Sequence, residues 1–346
     1  MKINWGVIGC GGIAFRRTIP GLVLSENSNL VAVMDTNFEA AKAVKAQFNA
    51  KYAFDTVEEL LAVEEIDAVY IATPVFCHKD QVIKAANAGK HILLEKPMGL
   101  TVEDSIEIKE LCEKKGIKLG VGLMMRFNNL HQEIRDIVAA GKLGEIVSMR
   151  AQFTCWYPEM EGAWRQRMAL SGGGSLMDMG VHCIDLLRFM SGLEASEVVA
   201  LTGNQIFKYE VEDAASVIMR MENGAFAYVD AAFNIPDEAA VCKLEIYGTG
   251  GSVFLEGSLA QDEAGEGTLI FTDSNKGYDA QQNRTRVDST KLTGNGGNLY
   301  TKEIDAFVNA VVNNTATPIT ADDAIKAQKI VEAAYESAKT GKLVKL

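Results

Sequence analysis

An aspartate, a histidine and a lysine have the types and spacing that suit proton transfer. Asp178 and His182 lie four residues apart in a predicted helix, so their side chains share one face, and Asp185 continues that stripe. Histidine is the usual general base near neutral pH, and a neighbouring carboxylate orients it. Lys96 follows a predicted strand that Pro97 ends. An ammonium group there can stabilise a developing alkoxide.

A metal site is the rival interpretation of the helix, because histidine and aspartate are common metal ligands. No third or fourth ligand lies at a recognisable spacing, so we expect no metal. The six cysteines are scattered without a CxxC pair, and we expect free thiols.

A glycine turn after the first predicted strand is typical of dinucleotide binding. Gly9 permits the tight turn, Gly11 lets the backbone approach a pyrophosphate, and Ala14 takes the third, small position. The helix that starts there offers N–H groups to the phosphates. Asp35 ends the next strand and is expected to accept hydrogen bonds from the adenosine ribose and to repel a 2′-phosphate. NAD is therefore favoured over NADP.

The elements around this turn alternate between strand and helix as far as about Gly122, which predicts a parallel, doubly wound Rossmann domain over residues 1–123. The predicted strands are Ile3–Ile8, Leu30–Met34, Ala68–Ala72, His91–Leu94 and Lys118–Val121. The predicted helices are Ile13–Leu24, Phe38–Phe48, Val57–Leu61, Cys77–Ala88 and Val102–Lys115, the last with Thr101 as its N-cap.

The pattern of residues 124–346 predicts an α/β domain with a large, mostly antiparallel open sheet. We expect this domain to bind substrate and to form the oligomer contact. The predicted strands are Ile146–Phe153, Val198–Phe207, Ala215–Met221, Ala225–Phe233, Cys242–Tyr247 and Ser252–Leu255. Helices are expected near Leu130–Ala140, Ser175–Met190, Leu299–Val312 and Ala321–Thr340, and the last two can pack back on the Rossmann domain. The polar, Gly-rich stretch Gln261–Asn298 indicates a hairpin with long loops.

Composition and patterning limit the partners. The formal net charge of −12 argues against a nucleic-acid partner, and no apolar run is long enough for a membrane span. The opening stretch MKINWGVIGC does not resemble a signal peptide, so we expect a cytoplasmic protein. Both faces of Ala225–Phe233 are largely apolar. A homodimer or homotetramer joined through this sheet would cover the second face; alternatively, the Gln261–Asn298 loops would shield it.

Three ordered motifs together resemble the Gfo/Idh/MocA family of glucose–fructose oxidoreductase and inositol dehydrogenase. They are the glycine turn, Glu95-Lys96-Pro97, and the triple glycine 172–174 followed by Asp178, His182 and Asp185. The resemblance covers nearly the whole chain. It implies that Lys96 is the active-site lysine and that Asp178 and His182 are the acid–base pair. Members act on a secondary alcohol or ketone of sugars, inositols and related polyols.

The wider predicted site combines these residues with others that lie near cofactor or substrate in relatives. The predicted cofactor-binding residues are Gly9, Gly11, Gly12, Ile13, Asp35, Thr73, Pro74, His78, Glu95, Lys96, Arg126, Trp164 and Arg165. The predicted substrate-binding residues are Lys96, Arg126, Asn128, Trp156, Asp178, His182 and Tyr300. Trp156 either stacks on a sugar ring or packs against the second sheet.

The resulting hypothesis is hydride transfer between NAD and a carbinol carbon of a sugar, glycoside or cyclic polyol. In it His182 takes the hydroxyl proton, Asp178 orients the histidine, and Lys96 stabilises the developing charge. One alternative is a ketone or trans-dihydrodiol dehydrogenase or reductase that uses NADP. Another is a non-catalytic dinucleotide sensor, which would not need these three side chains.

Overall fold

A computed structural model describes residues 2–262, 264–272, 277–278, 280–281 and 288–346. The chain divides into two compact units. The first unit comprises Met1–Met124, Gly162–Gly172 and Asn298–Gln328, and the second comprises Met125–Glu161, Gly173–Gly297 and Lys329–Leu346.

The first unit is built on a parallel sheet. Its described strands are β1 (Ile3–Ile8), β2 (Ser28–Met34), β3 (Tyr52–Phe54), β4 (Ala68–Ile71), β5 (His91–Glu95) and β6 (Leu119–Gly122). Their order, β3-β2-β1-β4-β5-β6, is that of a doubly wound Rossmann fold and confirms the prediction. The short β3 was not predicted, because its three half-buried residues carry no clear pattern.

Helices flank this sheet. They are Ala14–Thr18, which is a π-helix, and Ile19–Leu24, Phe38–Phe48, Val57–Leu61, His78–Asn87, Val102–Lys115, Met168–Ser171 and Leu299–Val312, with 3-10 turns at Val75–Cys77 and Trp164–Gln166. The late helix Leu299–Val312 belongs to this core, because the ring of Phe307 packs 5.5 Å from that of Trp5 in β1.

The second unit is built on a mostly antiparallel sheet, as predicted. Its described strands are β7 (Ile146–Thr154), β8 (Ala195–Gly203), β9 (Ala214–Met221), β10 (Phe226–Ala232), β11 (Lys243–Gly248), β12 (Gly251–Glu256), β13 (Glu266–Phe271), β14 (Ser289–Thr293) and β15 (Val344–Lys345). Their order is β14-β13-β12-β11-β7-β10-β9-β8-β15, and β7 and β10 pair in parallel.

The helical segments of this unit are Asn129–Ala139, the π-helix Leu176–Gly180, Val181–Ser191, the 3-10 turn Asp237–Ala239 and the end of Ala321–Thr340. The 3-10 turn Met124–Phe127 contains the point in the sequence where the first unit ends and the second begins. In β10 the residues Ala227, Val229 and Ala231 are buried. On the opposite face Phe226 is 40% exposed.

Several element boundaries differ from the sequence prediction, most of them by one or two residues. The strand expected at Val198–Phe207 runs from Ala195 to Gly203. It ends there because the carboxylate of Asp213 accepts the backbone N–H groups of residues 205–207, which removes them from the sheet ladder. The helix expected over Ser175–Met190 begins as one π-helical turn and becomes α-helical at Val181.

The stretch Gln261–Asn298 contains the predicted hairpin, since β13 and β14 pair antiparallel. Residues 263, 273–276, 279 and 282–287 of this stretch lie outside the described residues.

Candidate active site

The glycine turn joins β1 to the first helix of the first unit. Gly9 has a φ of +98°, and a Cβ there would lie 3.0 Å from the backbone of Ala72, so this position requires glycine. Gly11 is exposed, with open space where a Cβ would stand, and Ile13 lies in the first helical turn beside it. A Cβ on Gly12 would lie 3.0 Å from the guanidinium of Arg16. This exposed turn with a cation beside it fits a pyrophosphate.

Asp35 lies directly against that turn. Its carboxylate accepts the N–H of Cys10 at 2.8 Å and the N–H of Asn37 at 2.8 Å. These bonds fix a negative charge at the carboxyl end of β2, beside the turn. The position agrees with the predicted role in binding ribose hydroxyls.

The segment from Thr73 to His78 connects two loops at the same edge of the sheet. His78 is 1% exposed, and its ring nitrogens lie 3.0 Å from the carbonyl oxygens of Pro97 and Thr73. Burial lowers the pKa of His78 to about 4, so the ring is neutral near pH 7. This burial favours a structural role over the predicted cofactor contact, whereas Thr73 and Pro74 are only half-buried.

Glu95 and Lys96 stand at the carboxyl end of β5. Glu95 is 8% exposed. Its carboxylate accepts a hydrogen bond from the Tyr70 hydroxyl at 2.8 Å and another from the N–H of Lys96 at 3.3 Å. Burial raises the pKa of Glu95, while the Tyr70 hydrogen bond and the positive Lys96 and Arg165 oppose that rise. Lys96 itself is half-buried and has further contacts.

Trp164 and Arg165 belong to the first unit, although they are distant in sequence. The guanidinium of Arg165 lies 4.4 Å from the ring centroid of Trp164. Its positive charge acts on Glu95, so the chain brings Arg165 to the Glu95-Lys96-Pro97 motif. Tyr300 is 2% exposed, and this burial argues against its predicted contact with substrate.

Asp178 and His182 lie on two consecutive helical segments of the second unit. The π-helical turn Leu176–Gly180 carries Asp178, and His182 follows in the first α-helical turn. Single π-helical turns inside α-helices are frequent at functional sites. His182 is 5% exposed, and its ring packs edge-on against Phe153 at 6.4 Å. Asp178 is half-buried, and both residues have further contacts.

Glu212 holds the start of this helix, and sequence analysis missed it. Its carboxylate accepts hydrogen bonds from the N–H of Gly174 at 3.0 Å, from the N–H of Leu176 at 2.9 Å and from the Tyr335 hydroxyl at 2.8 Å. Burial raises the pKa of Glu212, while these donors oppose the rise. A Cβ on Gly174 would collide with the backbone oxygen of Glu212. Close approach therefore requires glycine at position 174.

Asp185 is buried in an ion pair and does not take the catalytic role that its spacing suggests. It is 1% exposed, and the guanidinium of Arg126 binds its two oxygens at 2.8 and 2.6 Å. A buried bidentate pair of this kind is structural. This ion pair therefore argues against the predicted contacts of Arg126 with cofactor and substrate. No cluster of three potential metal ligands occurs within the described ranges.

Asn128 and Trp156 have contrasting surroundings. Asn128 is fully buried; its carbonyl caps the helix Asn129–Ala139, and its amide donates to the backbone oxygens of Ser258 and Ala264. These bonds use both ends of the side chain and favour a structural role. Trp156 is 42% exposed, with its ring edge-on to Phe207 at 5.0 Å. Its ring remains accessible to a ligand.

Family models match both halves of the chain. Residues 3–123 match the oxidoreductase family model with an NAD-binding Rossmann fold, and residues 131–254 match the GFO/IDH/MocA C-terminal domain. The chain belongs to the GFO/IDH/MocA oxidoreductase family. This finding confirms the predicted family and the assignment as an enzyme.

Full-length relatives of this oxidoreductase act on different compounds. The chain is 28% identical over 344 residues to 1,5-anhydro-D-fructose reductase of Ensifer adhaerens, covering 99% of this chain and 98% of that protein. It is 27% identical to D-xylose 1-dehydrogenase (NADP(+)) 2 of Haloferax volcanii, covering 99% of each. The structure of aldose-aldose oxidoreductase from Caulobacter crescentus with glycerol matches with a TM-score of 0.89 at 25% identity and covers 100% of both chains.

The described part of this oxidoreductase includes no helix with the length and apolar character needed to cross a bilayer.

Proposed function

We propose that the protein transfers hydride between NAD and a secondary alcohol or ketone of a sugar, glycoside or cyclic polyol. A bound nicotinamide supplies the hydride acceptor or donor. His182 takes the hydroxyl proton of the alcohol, and Asp178 orients the imidazole. Lys96 donates a hydrogen bond to the same oxygen and stabilises its alkoxide character.

The observation that supports this proposal most directly is the common sheet edge in the first unit. The glycine turn follows β1, Asp35 follows β2, and Lys96 follows β5. The carboxyl ends of parallel strands lie at one edge, where doubly wound folds bind their ligands. The dinucleotide cradle and the proposed oxyanion-stabilising lysine thus belong to the same edge of one sheet.

The proposed preference for NAD rests on Asp35. Its carboxylate is held beside the turn by two backbone N–H groups, so it cannot easily swing away from an added phosphate. A fixed negative charge repels a 2′-phosphate and can accept hydrogen bonds from ribose hydroxyls.

The proposed substrate class rests on the relatives and on Trp156. The names of the relatives refer to an anhydrosugar, an aldopentose and aldoses. Trp156 exposes an aromatic ring in the same unit as His182, and such rings pack against the C–H face of sugars. A hydroxylated ring compound fits both features.

The test is a screen of purified protein for cofactor turnover. NAD and NADP are each offered with sugars, glycosides and inositols, and NADH and NADPH with the corresponding ketones, while absorbance of the reduced nicotinamide is followed. We expect turnover with at least one compound, and turnover slower by at least about 10²-fold with Lys96→Ala at the same protein concentration. Equal turnover by wild type and Lys96→Ala would contradict the proposal. Turnover only with NADPH and a ketone or dihydrodiol would favour the alternative reductase.

A further inference from the structure

Glu303 is a buried carboxyl group in the first unit that no sequence motif singled out. It lies on the helix Leu299–Val312 and is 1% exposed. Neither of its oxygens has a hydrogen-bond partner among the residues that the structure describes. Buried polar groups are normally hydrogen-bonded, so a carboxyl in this state needs a physical explanation.

Glu303 packs against the face of the sheet that carries Glu95. It lines a small cavity with Leu93 of β5 and Gly120 of β6. Alternate residues of a strand share a face, so Glu95 and Gly122 lie on that same face one step further along. The Glu95 side chain covers Gly122, since a Cβ there would lie 3.2 Å from a Glu95 oxygen.

The two carboxyl groups have unequal surroundings. Glu95 has a hydroxyl donor in Tyr70 and a backbone donor in Lys96. The positive charges of Lys96 and Arg165 also act on it. Burial raises the pKa of Glu303 well above its usual range, and the negative charge of Glu95 raises it further. Two neighbouring buried carboxyls cannot both ionise cheaply, so the proton stays on Glu303.

The remaining titratable groups of this cluster are tyrosines. Burial raises the pKa of Tyr70 and of Tyr300 well above the usual range, and Glu95 and Glu303 raise both further. Both hydroxyls are therefore neutral near pH 7. Arg16 and Arg17 act on Tyr300 from the first helix and oppose its rise. Of the two carboxyls, Glu95 is therefore the one that ionises more readily, because donors and positive charges surround it.

We propose that Glu303 is a positioning residue that remains protonated at neutral pH, so that the cluster beneath the Glu95-Lys96 motif carries one negative charge instead of two. Ionisation of Glu303 would repel the Glu95 carboxylate from its place between the Tyr70 hydroxyl and the Lys96 N–H. Lys96 follows Glu95 directly, so its ammonium group would shift too. The functional part of this inference rests on the proposed role of Lys96.

The first experiment compares the thermal stability of wild type, Glu303→Gln and Asp305→Asn from about pH 6 to about pH 9. A carboxyl whose pKa is raised by folding contributes stability below its unfolded pKa of about 4.3 and loses it as pH rises toward the folded pKa. Glutamine mimics the neutral acid and cannot ionise. We therefore expect Glu303→Gln to gain in Tm over wild type as pH increases.

Asp305→Asn is the matched control, because it makes the same carboxyl-to-amide change on the same helix at a half-buried position. Its Tm difference from wild type should not grow with pH in this way. A Glu303→Gln protein whose Tm falls further below that of wild type as pH rises would overturn the proposal, since it would show that the ionised carboxylate is needed. A difference that is constant with pH would overturn it as well.

The second experiment measures kcat/KM against pH with the best substrate from the screen. Wild type should show an alkaline limb that falls about tenfold per pH unit beyond the Glu303 ionisation, and Glu303→Gln should lack that limb. At neutral pH its kcat should stay within about twofold of wild type, because the amide retains the neutral state. An unchanged limb, or inactivity of Glu303→Gln at every pH, would refute the positioning role. The stability experiment uses no substrate. It therefore tests the protonation of Glu303 even if the proposed function proves wrong.

Discussion

Replacing Glu212 with alanine should loosen the start of the helix that carries Asp178 and His182. The substitution removes the acceptor of two backbone N–H groups, those of Gly174 and Leu176, and of the Tyr335 hydroxyl. Glu212 is only 6% exposed, so water cannot easily replace the lost acceptor. The negative charge at the start of a helix is lost as well.

The magnitude follows from these three bonds. A hydrogen bond to a charged acceptor contributes about 1.5–3 kcal/mol, and such terms are not additive when one group makes all of them. Removing one partner of a buried charged network typically costs about 3–5 kcal/mol. Each kcal/mol lowers Tm by about 2–4 °C in a unit of roughly 150–250 residues. We therefore expect Glu212→Ala to melt roughly 6–20 °C below wild type.

Two milder variants separate the contributions. Glu212→Gln keeps the shape but turns an amide NH₂ toward a backbone N–H, which should cost about 1–3 kcal/mol. Tyr335→Phe removes one of the three donors and should cost about 1 kcal/mol. Glu222→Gln is the control, because Glu222 is an exposed acid of the same unit and should change Tm by less than about 1 °C.

The assay combines calorimetry with kinetics. Loss of the helix start should lower kcat, while NADH affinity should change little, because the glycine turn and Asp35 belong to the other unit. An unchanged Tm in Glu212→Ala would refute the energetic reasoning. A lower Tm with unchanged kcat, measured well below the melting range, would refute the link between Glu212 and the catalytic helix.

Three further predictions concern the cofactor, the chemistry and the assembly. NADH should bind more tightly than NADPH, and Asp35→Ala should narrow the difference in Kd; tighter NADPH binding by wild type would contradict the role given to Asp35. His182→Ala and Lys96→Ala should each lower kcat by roughly 10²–10⁴-fold with little change in the Kd of NADH; near-normal turnover by the double variant would rule out the assignment. We propose a homo-oligomer joined through the open face of the second sheet, where Leu201 is 78% exposed and Phe226 40% exposed. Light scattering should give a multiple of the 37.5 kDa chain mass that Leu201→Asp reduces, and a monomer mass for wild type would exclude this assembly.

The sequence predicted features that depend on interactions between near neighbours. The helix Val102–Lys115 was predicted with its bounds and its N-cap, and Thr101 accepts the N–H of Asp104 at 3.1 Å. The turn at Gly9 was predicted with its backbone requirement, and its φ is +98°. Capping and turn formation involve atoms a few residues apart, so the pattern of residue types carries the information.

The tertiary structure decided features that depend on residues far apart in sequence. Asp185 has the spacing of a catalytic stripe, but Arg126 binds both of its oxygens in the folded chain. This pairing has no local signal, because the packing of the folded chain brings together two partners that lie 59 residues apart.

Glu212 and Glu303 show the same division most clearly. Each is an ordinary glutamate in the sequence, and neither belongs to a recognisable motif. Folding buries both, and it surrounds Glu212 with three donors while leaving Glu303 against the negative Glu95. The sequence could identify Lys96, Asp178 and His182 as candidates because their types and spacing are unusual. The groups that position and tune them could be found only from the fold, because burial and the sign of neighbouring charge are properties of the packed structure.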